Sequence, residues 1–160
     1  MRFLSLAIAV VMFALPRVAT PEDRDKFVGT WTLEIVEERD AEGNWKQVAD
    51  RIGSDPIGYI MYDSAGNMAV QITGRNRPRL TSDDPQKATS EELKAAFLGY
   101  VAYFGTYEVN EDEGTVTHHR QGSLVPNRTG TDAKRFYIFK GDTLTLMPSE
   151  NRRLMWKWVQ

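Results

Sequence analysis

Apolar and polar residues alternate at every second position along most of this chain, the period of a half-buried β-strand. Trp31, Leu33, Ile35 and Glu37 alternate with Thr32, Glu34, Val36 and Glu38. Asp40-Ala41-Glu42-Gly43-Asn44 then reads as a turn into a short strand over 45–48, and Ser54-Asp55-Pro56 breaks the chain again. Segments 57–62 and 68–73 flank Ser64-Ala65-Gly66-Asn67, which predicts a hairpin. Further strands are predicted over 106–109, 115–124, 131–139, 143–147 and 152–159, about nine in all.

One segment departs from this rhythm. Thr89-Ser90-Glu91-Glu92 is a capping box, with Thr89 as N-cap and Glu92 at the third helical position. Leu93, Phe97, Tyr100 and Phe104 follow at helical spacing, Ala96 and Val101 widen the stripe, and Gly105 reads as the stop. This is the one helix expected outside the N-terminal region. Short connections favour antiparallel neighbours, and full closure leaves no exposed sheet edge. The expected fold is therefore all-β, a closed antiparallel up-and-down barrel of about 8–9 strands with one inserted helix. A sandwich competes, but hairpin after hairpin fits a barrel better.

The 160 residues suit one domain with a core of its own. The formal net charge is −2 and there is no cysteine, so disulfides, thiolate metal sites and thiol nucleophiles are excluded. No basic face points to nucleic acid. Met1-Arg2, an apolar run over 3–15 and the polar stretch after Ala19 read as a signal peptide over 1–19, with the barrel domain over 20–160. That run is too short to span a bilayer as a helix, so no stable membrane span is expected once the signal is removed, although an uncleaved anchor is the alternative. No nucleophile elbow, phosphate loop, dinucleotide fingerprint or paired-carboxylate spacing is present, and no cofactor is implied.

Several stretches taken together resemble one family. They are Gly29-Thr30-Trp31, Asp55-Pro56-Ile57-Gly58-Tyr59-Ile60-Met61-Tyr62, Arg77-Pro78-Arg79, and the run from Ala96 through Val109. Gly114-Thr115-Val116-Thr117-His118-His119, Gly122-Ser123-Leu124-Val125-Pro126-Asn127 and Gly141-Asp142-Thr143-Leu144-Thr145-Leu146 complete them. The chain is similar over roughly 27–159 to the lipocalin-like domain family, relatives of the calycin barrels. The resemblance implies a lipocalin-type barrel. It does not imply one function, since some relatives sit in natural-product pathways where cofactor-free isomerisation or cyclisation is plausible. Arg128 departs from the pattern, where an aromatic is expected after Asn127.

Candidate chemistry is sparse. The two histidines, His118 and His119, are adjacent, so on a strand they point to opposite faces and cannot ligate one metal together. No metal site is expected. His119 is taken as the inward one, because Arg120 on the opposite face is better placed in water, and an inward imidazole is a candidate general acid or base. Gln71 either meets solvent or orients a ligand. Tyr103 and Tyr107 are the preferred pocket tyrosines, and Arg77 and Arg79 are candidate anion contacts at the barrel mouth. Trp31 is expected to close the floor with Arg152 stacked on it.

The primary expectation is an exported barrel that binds a small apolar or amphipathic molecule. A cofactor-free isomerase or cyclase using His119, and a filled barrel with a structural or interaction role, are the alternatives. Nothing in the sequence addresses oligomeric state.

Overall fold

In a computed structural model, residues 23–48 and 52–159 are described, and the expected signal peptide lies outside them. A short helix α1 (Asp23–Phe27) precedes β1 (Gly29–Arg39), β2 (Trp45–Gln47), β3 (Pro56–Tyr62) and β4 (Asn67–Gly74). Helix α2 (Ser90–Leu98) follows, then β5 (Tyr100–Asn110), β6 (Thr115–Ser123), β7 (Asp132–Lys140), β8 (Thr143–Ser149) and β9 (Arg152–Trp158). Single 3₁₀ turns stand at Pro85–Lys87 and Pro126–Arg128. No described helix is long and apolar enough to cross a membrane.

Every pairing is antiparallel, and β1 pairs with β9 to close the sheet. Eight strands form the barrel. β2 lies outside the ring, paired only to the last turn-side residues of β1, with Glu37 opposite Gln47 and Arg39 opposite Trp45. The closing register sets Trp31 opposite Trp158 at one end and Glu38 opposite Arg152 at the other.

The period-2 pattern places the core as expected. Met68, Val70 and Ile72 of β4 are buried while Gln71 between them is exposed. At the closed end Phe27 sits among rings, 5.1 Å from Tyr62, 5.0 Å from Tyr137 and 4.9 Å from Phe139 between centroids. The Trp31 indole N–H donates to the Phe27 carbonyl at 2.9 Å, which ties β1 to α1. Trp158 meets Trp31 edge-on at 5.0 Å. Gly29 is needed beneath that pair: its φ is +140°, and a Cβ there would fall 2.2 Å from the Trp158 ring.

Two expectations about these elements are corrected. Trp31 packs against Trp158 and Phe139, but Arg152 is not its partner, because the closing register carries Arg152 to the opposite end, where it pairs with Glu38. Stacked guanidinium is found instead on Trp45, which lies between Arg39 at 4.4 Å and Arg153 at 4.3 Å. Helix α2 starts with the expected capping box but ends at Leu98 with Gly99 as its C-cap, and the chain from Tyr100 is strand. The apolar run 100–105 fits both periods, and pairing with β4, Val101 opposite Ile72 and Tyr103 opposite Val70, decides for strand. Gly105 is a bulge glycine, not a helix stop. The register between β5 and β6 shifts beside it, and a Cβ there would lie 1.9 Å from the His119 carbonyl oxygen.

Candidate functional site

The strand ends away from Trp31 enclose a cavity of about 450 Å³. Val36, Ile60, Val70, Ile72, Leu146 and Trp156 make its walls apolar. Tyr103, Arg128, Arg135 and Arg152 supply its polar groups. These come from β5, the 3₁₀ turn after β6, β7 and β9, so the polar lining converges from separate elements. Among the described residues no carboxylate or imidazole is part of the lining.

Behind Tyr103 lies the buried polar cluster of the barrel. Alternation along β6 turns Val116 and His118 inward, and His118 is 0% exposed. Its Nε2 lies 2.8 Å from the Tyr62 hydroxyl and its Nδ1 2.9 Å from the Tyr103 hydroxyl. Arg135 Nη2 donates to the Tyr103 hydroxyl at 3.2 Å, and the Arg120 guanidinium lies 5.9 Å from the Tyr103 ring centroid. Burial holds the His118 pKa well below 6.5, and the nearby charges of Arg135 and Arg120 push the same way. His118 is therefore a neutral imidazole at neutral pH, with one nitrogen donating and the other accepting. Burial raises the pKa of both tyrosines, so each keeps its proton. One tyrosine hydroxyl accordingly donates to the ring and the other accepts from it, while Tyr103 also accepts from Arg135.

The inward histidine is thus His118, not His119. Arg120 is the reason: it does not face water as expected. Opposite Gly105 and next to the bulge, Arg120 shares the inward side, reaches the barrel rim and donates to Thr131 O, Thr131 Oγ1 and Asp132 O. His119 faces outward with its side chain 38% exposed, its Nδ1 2.8 Å from Asp132 and its Nε2 3.7 Å from Glu108.

The other expected site residues separate. Tyr103 lines the cavity. Tyr107 belongs to the closed end, where its hydroxyl donates to the Asp63 carbonyl at 3.0 Å. Gln71 is outside the barrel and accepts from the Tyr100 hydroxyl at 2.7 Å. Arg77 stacks on the Tyr100 ring at 5.2 Å and donates to Ala96 O and Thr73 Oγ1, outside the cavity. Arg79 is exposed in a groove shared with Glu91 and Glu92. Arg152, expected at the floor, lines the cavity instead. Arg128 and Arg135 of the lining, and His118 behind it, are not among the expected site residues. Arg135 was readable, because it shares a strand face with Tyr137 and Phe139. Among the described residues no cluster of three or more His, Asp or Glu is placed to hold a metal ion.

The sequence pattern of the lipocalin-like domain family matches residues 28–158. A similar curated protein is the 4'-hydroxy-3'-methoxypropiophenone carrier protein ppsC of Aspergillus oryzae. It is 32% identical over 85 residues, which cover 49% of this chain and 77% of that protein.

Proposed function

This chain belongs to the lipocalin-like domain family, and we propose that it binds a small amphipathic molecule inside the barrel. The observation that carries the proposal is the cavity of about 450 Å³, apolar on its walls with a few converging polar groups. That is the size and composition of a small-molecule site. A similar protein named as a carrier supports the same reading. A filled structural barrel is disfavoured by the cavity. Isomerisation is less well supported: Tyr103 could give a proton to a carbonyl, but among the described residues the lining offers no carboxylate or imidazole to remove one.

Native mass spectrometry of protein purified from its own host tests the proposal. A stoichiometric small-molecule adduct that is released on denaturation is the expected result; a bare polypeptide mass in every preparation would contradict it. Export is part of the same proposal and rests on the apolar run over 3–15 flanked by Arg2 and a polar segment. Cell fractionation should find the chain outside the cytoplasm, beginning after Ala19, and a cytoplasmic full-length chain would contradict export.

A further inference from the structure

The polar lining of the cavity is rich in donors and short of acceptors. Arg152 is paired with Glu38. Among the described residues Arg135 donates to neutral oxygens, the Ala133 carbonyl at 3.1 Å and the Tyr103 hydroxyl at 3.2 Å. The Arg128 guanidinium makes no hydrogen bond or ion pair among the described residues. Trp156, which forms part of the apolar wall, buries an indole N–H that has no acceptor among them. Arg120 adds a further positive charge behind Tyr103. Of the carboxylates nearby, Glu38 is taken up by Arg152, and Asp132 is engaged on the outer surface with His119.

Two guanidinium groups with no carboxylate partner among the described residues, beside an apolar wall, are poorly compensated. Guanidinium offers a planar fork of donors that matches a planar oxyanion. We propose that the cavity is a carboxylate-binding site, taking an apolar molecule with one carboxylate held by Arg128 and Arg135. Tyr103 stands beside the headgroup, and the aliphatic walls and Trp156 take the apolar body. The surplus of cations among the described lining residues favours an anion over an amine. The departure at Arg128 from the family pattern becomes part of the recognition.

This inference rests on the reading of the barrel as a binding protein, and the experiment keeps the two apart. Titration calorimetry compares decanoate with decan-1-ol, which share an apolar tail and differ in headgroup charge, at neutral pH. Decanoate should bind the wild-type protein at least about tenfold more tightly, the effect of charge-assisted hydrogen bonds. Arg128→Ala should reduce that preference and Arg128→Glu should abolish it, with the circular dichroism spectrum showing that the fold is kept. Arg135→Gln should weaken decanoate similarly, and its melting temperature separates lost recognition from lost packing. Equal binding of acid and alcohol would overturn the carboxylate site and leave the binding function standing. Failure of decanoate to bind at all would overturn the carboxylate site, and native mass spectrometry then judges the binding function alone.

Discussion

His118 is a titratable group held neutral by its surroundings. It sits between the Tyr62 and Tyr103 hydroxyls, with Arg135 from β7 and Arg120 from its own strand opposing a further positive charge. His119, its neighbour, lies on the outer face with Asp132 and Glu108. In the unfolded chain His118 takes up a proton below about pH 6.5, whereas in the fold its pKa is depressed. The unfolded state then binds more protons, so this group's contribution to stability is complete above pH 6.5 and is lost as pH falls below it. Denaturant titrations between pH 6.5 and 5 should show stability decreasing as pH falls. His118→Gln should flatten that slope. A slope unchanged in His118→Gln would show that His118 is not the group responsible.

The elements were legible to unequal degrees. Nine strands, their order and the hairpin at Ser64–Asn67 follow from alternation and turn residues, because the side-chain period of a strand is fixed by its backbone. The face of a strand is less secure, since one mistaken polar residue inverts it. That is what happened at β6, where Arg120 satisfies its donors at the rim through Thr131 and Asp132 and so tolerates the inward side. The end of α2 was obscured by a run that suits helix and strand alike. The Trp31 partner was misread because face alone does not give height along a barrel; the closing register does. Helix α2 buries none of its residues, and Leu93 and Phe97 are more than 40% exposed. Phe97→Ser should therefore change stability by less than about 0.5 kcal/mol in denaturant titration. A loss above 2 kcal/mol would mean that α2 is part of the core.

At the scale of the whole molecule the barrel divides its tasks between its ends. Phe27, Trp31, Tyr62, Tyr137, Phe139 and Trp158 fill one end with rings in mutual contact. The other end keeps space, with aliphatic walls and arginines drawn from separate elements. The His118 cluster lies between, bonded to Tyr62 of the closed end and to Tyr103 of the cavity wall. Alternation along the sequence implies a barrel, but whether its interior is packed or hollow depends on how side chains from eight strands meet, which no single segment displays. The most direct measurement is fluorescence titration with anilinonaphthalene sulfonate, a small amphipathic anion, on the wild-type protein and on Val70→Trp, with Ile72→Phe as a milder filling. Both variants should keep the wild-type circular dichroism spectrum. The wild type should bind the probe at one site, Ile72→Phe more weakly and Val70→Trp not measurably; equal binding by all three would place the probe elsewhere and contradict a ligand cavity inside the barrel.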